Sequence, residues 1–267
     1  MSMNSQTRAV ILVVSVLAAG AAFGQVKGTI VRMNTTEAVG DIKWKQRDKA
    51  YEVTTGSLIV EVPLADVQEL KIPKPRALTD AERLIREGKV AEAIPILTKV
   101  STDYLMLTWD KPAIRYLADA YLKDGKVDEA IKVCENVIRA DPEAAYIGDF
   151  APIYWQALQK KGNNTNKVED LMAKAIKSGD RTASASALVM RGDLILATGD
   201  TSDNAKKALR DGYLRVVALY DKEKMVRPEA LYKAAKCFDK IGQTSRAESF
   251  RSELKKDFAG TEWATKM

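Results

Sequence analysis

Apolar positions change their period once along this chain. Between residues 25 and 75 they fall in short runs rich in β-branched residues. From Leu78 onward they recur at i, i+3, i+4 and i+7, the spacing of one face of a helix. The first region predicts strands over 27–32, 41–46, 51–54, 58–62 and 67–72. Turn signals separate them at Asn34-Thr35-Thr36, Arg47-Asp48-Lys49 and Thr55-Gly56-Ser57. Leu58, Val60 and Val62 share one face of their strand and Ile59 lies on the other, so this strand reads as buried on both faces and central. Short strands at this density predict a small barrel or rolled sheet. The run Ile72-Pro73-Lys74-Pro75-Arg76 closes it, because alternate prolines suit neither a central strand nor a helix interior.

The clearest helical unit covers 111–142. Its first helix carries Ile114, Leu117, Ala118, Tyr121 and Leu122 on one stripe, and Gly125-Lys126 breaks it. Its second helix carries Val127, Ala130, Ile131, Cys134, Val137 and Ile138, and Asp141-Pro142 ends it. Leu84, Gly88, Ala93 and Leu97 occupy the same slots one unit earlier. Leu231, Ala234, Ala235, Phe238, Gly242, Ala247 and Leu254 occupy them in the last unit. Two middle units, about 149–176 and 185–220, keep the stripes but depart in detail. The third unit has Trp155 at a position expected to be small and a lengthened turn over 162–167. The fourth has Gly192 as its small residue and a long turn over 198–204. Pro95 should sit near the start of its helix or kink it.

These slots resemble the tetratricopeptide repeat family: a large apolar residue, Leu, a small residue and an aromatic in the first helix, then a turn glycine, a small crossing residue and a closing proline. Here they are Ile114, Leu117, Ala118, Tyr121, Gly125, Ala130 and Pro142. Ala93 and Ala130 stand 37 positions apart, near the family's period of about 34. The resemblance implies a mainly α, solenoid-like stack of about five helical hairpins with a concave groove lined by the first helices. Strand spacing in the preceding all-β module is similar to that of SH3-like or LSm-like small barrels. The stretch from Pro228 to Trp263 is similar to repeats of periplasmic assembly proteins, of the Tol–Pal accessory and outer-membrane-assembly lipoprotein types.

The N-terminus reads as a secretory signal. Arg8 precedes the apolar run AVILVVSVLAA, and small residues follow, with cleavage expected after Gly24. The run is shorter than the roughly 20 apolar residues of a membrane span, although an uncleaved anchor helix is the alternative. No cysteine stands near the cut for lipid attachment. The expected organisation is a signal peptide over 1–24, the β module and its Pro-containing linker over 25–75, and the repeats over 76–267. The mature protein is expected in the periplasm or outside the cell.

Composition narrows the chemistry. The chain lacks histidine altogether, which removes Ser-His-Asp and Cys-His sites and the commonest metal ligand and general base. Cys134 and Cys237 belong to no CxxC pair and both sit on apolar stripes, as buried free thiols do; export would also permit a disulfide. The net charge of +6 is spread along the chain without a basic block, so nucleic acid is not an expected partner. No phosphate loop, nucleophile elbow or metal spacing appears, so neither enzyme activity nor a cofactor is expected.

The expected function is an exported protein–protein interaction scaffold or adaptor in the cell envelope, with self-association open to it. In its groove, Arg115 and Lys236 would meet acidic groups and Tyr232 would stack, beside Asp119 and Asp239; otherwise these residues form an ordinary solvated face. A second reading is polysaccharide or nucleic-acid binding by the β module through Lys43, Trp44, Lys45 and Tyr51, against which the two aromatics are simply core fillers. N-terminal sequencing of the secreted form checks export: the mature chain should begin at Gln25, and a start at Met1 would rule cleavage out.

Overall fold

A computed structural model describes residues 26–148 and 150–266; the expected signal and its cleavage site lie outside them. The chain opens with an antiparallel sheet of β1 (Val26–Arg32), β2 (Glu37–Lys45), β3 (Ala50–Thr55), β4 (Leu58–Pro63) and β5 (Val67–Lys71). Spatial order is β4-β3-β2-β1-β5, so the chain meanders outward from β1 to β4 and returns through a 3-10 turn to lay β5 on the other side of β1. Alternation sends Ile30, Ile42, Trp44, Tyr51, Val53 and Val62 to one face, where they form the module's core.

The expectation for β4 is overturned. It is an edge strand, paired only with β3, and Leu58 and Ile59 are 62% and 63% exposed. An apolar run satisfies a central strand and an unprotected edge equally well in sequence, and only pairing distinguishes them.

Helices follow in pairs: α1 (Arg76–Arg86) with α2 (Val90–Asp103), α3 (Asp110–Lys123) with α4 (Val127–Ala140), and α5 (Ala151–Lys161) with α6 (Thr165–Lys177). The fourth pair joins α7 (Arg181–Ala197) to one continuous helix made of α8 (Ser202–Ala208), a π-turn (Leu209–Tyr213) and α9 (Leu214–Leu219). The fifth is α10 (Arg227–Lys240) with α11 (Thr244–Asp257), and a short α12 (Glu262–Thr265) ends the described chain. First helices touch first helices along the row α1, α3, α5, α7 and α10, the row expected to line the inner wall of the stack.

The repeated glycines end three first helices in one way. Gly88, Gly125 and Gly242 hold φ of +77°, +77° and +74°. The next residue's N–H then reaches back across the turn: Lys89 to the Leu84 carbonyl, Lys126 to Tyr121 and Gln243 to Phe238. Ala93, Ala118, Ala130, Ala234 and Ala247 are all fully buried, where paired backbones approach.

The third unit accommodates its tryptophan: Trp155 is fully buried, and its indole N–H donates to the Ala145 carbonyl (2.8 Å) in the 3-10 turn Pro142–Ala145. Its turn is shorter than expected, since α6 already starts at Thr165. The fourth turn is shorter too, because Thr201 caps α8 by accepting from the Asn204 N–H. Pro95 lies in the second turn of α2.

The sheet and the repeats share side chains. The connection between α2 and α3 pushes Leu107 into the sheet's core, and Tyr104 and Trp109 pack against both cores. Tyr51 donates its hydroxyl to the Met106 carbonyl (2.8 Å), and the Trp109 indole donates to the Ile72 carbonyl (2.9 Å). The Asp110 carboxylate accepts from the Met106 N–H (2.9 Å), holding a loop in which Met106 and Thr108 have φ of +60° and +75°.

The tightest crossing is in the fourth pair. A Cβ on Gly212 would lie 2.8 Å from the Leu188 carbonyl oxygen and 2.9 Å from Gly192 Cα, and both obstacles are backbone. Gly212→Ala should therefore lower stability by about 1–3 kcal/mol, the range for overpacking. Urea denaturation checks this, with Gly260→Ala, where a Cβ meets nothing, as the neutral comparison.

Candidate functional site

Close approach at Gly192 and Gly212 decides what the inner wall presents. The π-turn adds one residue to the helix and turns Tyr213 toward α7, where its ring lies against Gly192. The fully buried Tyr213 extends its hydroxyl to Asp193 Oδ1, donating at 2.7 Å. Asp193 Oδ2 accepts from the Lys233 ammonium on α10 (2.6 Å), which also donates to Glu229 Oε1 one turn back (2.6 Å). The fourth and fifth pairs are thus joined by a chain from Tyr213 through Asp193 and Lys233 to Glu229. Two carboxylates do converge here, the arrangement that acid–base catalysis would use, but both are engaged by one ammonium.

Burial of Lys233 opposes its charge, yet Glu229 and Asp193 outweigh that and hold its pKa above the usual lysine value. Burial, with Asp193 beside it, pushes the Tyr213 phenol up as well.

Above this chain lies a cavity of about 500 Å³ between α7 and α10. Leu196, Tyr213 and Cys237 supply apolar lining, Tyr232 an aromatic face, and Lys236 and Lys240 two cations. Lys233, Lys236 and Lys240 follow one helical face at i, i+3 and i+7. Lys240 pairs with Asp200, which is 84% exposed, whereas Lys236 lies 5.6 Å over the Tyr232 ring and enters no ion pair among the described residues. A second cavity of about 210 Å³ shares Tyr232 and Lys236 and adds Asp239, Arg251 and Lys266. Trp263 of α12 packs on Tyr232 with ring centroids 5.5 Å apart.

Of the residues singled out from sequence, Tyr232, Lys236 and Asp239 come together on α10, although Asp239 is tied to Arg251 on α11. Arg115 and Asp119 lie elsewhere, on α3, with α5 and α7 between them and α10 in the row of first helices. Arg115 stacks at 4.3 Å on Tyr116, and Asp119 pairs with Lys123 (2.7 Å). Asp193, Asp200, Tyr213 and Lys240 were not anticipated. The lysine spacing on α10 was readable in the sequence; the bond from Asp193 to Lys233, 40 residues apart, had no local signal.

The β-module site is corrected. Trp44 is only 4% exposed and Tyr51 1%; their rings pack at 4.8 Å in the core, and Tyr51 is committed to the Met106 carbonyl. Lys45 pairs with Glu52 (2.7 Å) and Glu61 (3.7 Å), and Lys43 stands opposite Glu52 in the sheet. The exposed aromatic–basic patch that a polysaccharide or nucleic-acid strand would need is not formed by these four residues. Their alternation along β2 and β3 turns the aromatics inward and the lysines outward.

Cys134 and Cys237 are buried free thiols, pushed up by burial to about 12 and about 11. Folding favours the protonated thiols, the neutral phenol and the Lys233 ammonium alike. The stability they lend is intact below their unfolded values and is lost as pH rises toward the folded ones. At pH 8 the native protein should resist a water-soluble maleimide and take up two equivalents in denaturant, and its thermal midpoint should fall between pH 8 and pH 10.5. Mass spectrometry and scanning calorimetry read the two effects.

Residues 84–148 and 229–260 match the tetratricopeptide repeat family. A pentatricopeptide repeat-containing protein of Arabidopsis thaliana is 30% identical over 129 residues, which are 48% of this chain and only 12% of that protein. A crystal structure of nearly identical TPR-like repeats from Podosopora anserina is 18% identical, with a TM-score of 0.44, covering 70% of this chain and 95% of that one. A point-substituted form of those repeats has 17% identity, the same coverage and a TM-score of 0.37. No described helix is long and apolar enough to cross a membrane.

Proposed function

The chain is a tetratricopeptide-repeat protein, and we propose that it is an exported scaffold of the cell envelope that holds a protein partner against the inner wall of its repeats. Repeats of this family support a role in protein–protein interaction. The observation that carries the reading is the solvent-open cavity between α7 and α10, where the row of first helices offers apolar, aromatic and cationic groups together. Beneath it, Asp193, Lys233 and Tyr213 are bonded to one another across two hairpins.

Export rests on the sequence pattern around Arg8 and the following apolar run. The β module supplies a second contact, either with the partner or with another copy. Leu58 and Ile59 on the unpaired edge of β4 support that role, since apolar edge strands are ready to accept another strand. Binding in this scheme is by shape and charge, with no bond made or broken.

Immobilised mature protein should retain a specific partner from envelope extract. The partner should be reduced at least tenfold on a variant carrying Lys236→Glu and Lys240→Glu together, or on one carrying Leu58→Lys and Ile59→Lys. If the mature chain retains nothing from the extract, the scaffold reading fails.

A further inference from the structure

We propose that β4 pairs antiparallel with β4 of a second copy of this chain, about a two-fold axis at Val60, so that two sheets become one. The inference rests on the reading of the β module as a second contact and names its occupant.

The backbone of β4 is half used. Its register sets Leu58 opposite Thr55, Val60 opposite Val53 and Val62 opposite Tyr51, and the Leu64 N–H continues the ladder to the Lys49 carbonyl (2.9 Å). Antiparallel strands exchange hydrogen bonds at every second pair. Leu58, Val60 and Val62 therefore direct their N–H and C=O groups to β3, and those of Ile59 and Glu61 point out of the sheet's edge. Next in that outward series is Pro63, which has no N–H and ends any added ladder.

The two edges of the sheet differ. At the far edge β5 exposes Gln68, Glu69 and Lys71, polar side chains of the kind that discourage strand pairing, and Lys71 is held by Glu37 (2.9 Å). At the near edge β4 exposes Leu58 and Ile59, and its one charge, Glu61, is met by Lys45 of the same sheet (3.7 Å). An apolar edge with a compensated charge can face a copy of itself without repulsion. A two-fold pairing also uses up both β4 edges, so assembly stops at a dimer.

One register fits. Outward groups must meet outward groups, which leaves the axis at residue 59, 60 or 61. An axis at Glu61 would set that carboxylate directly against its own copy. An axis at Ile59 would keep only Leu58, Ile59 and Val60 within the ladder. An axis at Val60 sets Ile59 opposite Glu61 of the copy, Leu58 opposite Val62 and Val60 opposite itself. Every outward N–H of Ile59 and Glu61 then finds a carbonyl. Leu58, Val60 and Val62 share one face, so the apolar side chains that β4 leaves in water are covered by their counterparts.

Sedimentation velocity of the purified mature chain, from about 5 to about 200 µM, tests the pairing. So short a join gives a reversible dimer whose share grows with concentration. Ile59→Glu, facing Glu61 of the copy, should weaken association at least tenfold. Adding Glu61→Lys should restore it to within about threefold, because each new carboxylate then meets a new ammonium. Val60→Cys would stand opposite itself in a pair without hydrogen bonds, with Cα atoms about 4.5 Å apart, a spacing that a disulfide spans. It should cross-link two chains on mild oxidation, and Gln68→Cys on β5 should not. The native thiols are buried and give no background. Circular dichroism melts confirm that each variant is folded. The inference is overturned if the chain stays monomeric throughout, if Ile59→Glu associates as well as the parent, or if Gln68→Cys cross-links as readily as Val60→Cys. A monomer that still retains an envelope partner overturns the pairing and leaves the scaffold standing. A dimer that retains none does the reverse.

Discussion

Everything in this protein depends on how closely two helix backbones can approach. A hairpin of helices buries enough surface to be stable only when small residues stand where its axes cross. In the first, second and fifth pairs alanines do this, at Ala93, Ala118, Ala130, Ala234 and Ala247. In the fourth pair the approach is closer still, glycine against glycine at Gly192 and Gly212, with backbone where a Cβ would have to go. The π-turn at this crossing brings Tyr213 to Asp193, and from there the polar chain runs on into α10. Packing, register and the floor of the candidate site are therefore one arrangement rather than three.

The sheet is integrated in the same economical way. Its concave core would be open if the connection between α2 and α3 did not fill it with Leu107. Two side-chain hydrogen bonds to backbone carbonyls, from Tyr51 and Trp109, fix that connection at both ends. The aromatics that a sequence reading could assign to ligand binding are consumed by this join. Leu58 and Ile59 stay exposed on the edge strand β4, which suits pairing with another chain better than stacking on sugars or bases.

On the inner wall, charges fall into two groups with different physical roles. Lys233 is shared by Asp193 and Glu229, one ammonium against two carboxylates, and the three tie hairpins together while partly withdrawn from water. Lys236 and Lys240 stand at the rim, with little or exchangeable compensation. The first group sets geometry, and the second leaves positive charge at the surface. The Trp263 indole of α12 packs on the Tyr232 ring beside them.

Much of this was legible without coordinates. The switch from alternating to helical period, the turn glycines and the small crossing residues are local signals, and each follows from backbone geometry within one or two turns. They predicted the strands, the hairpins and the grouping of Tyr232, Lys236 and Asp239 on one helix. Tertiary structure alone decided which strand is an edge, because β4 has the composition of a central strand and only its lack of a second neighbour exposes it. It decided that Trp44 and Tyr51 face inward, and that Arg115 lies apart from Lys236. It also decided that Asp193 reaches Lys233, since a bond between residues 40 positions apart depends on how two hairpins stack and no local pattern encodes that. Periodicity reports which face of an element is apolar; what that face meets is set only when the elements pack.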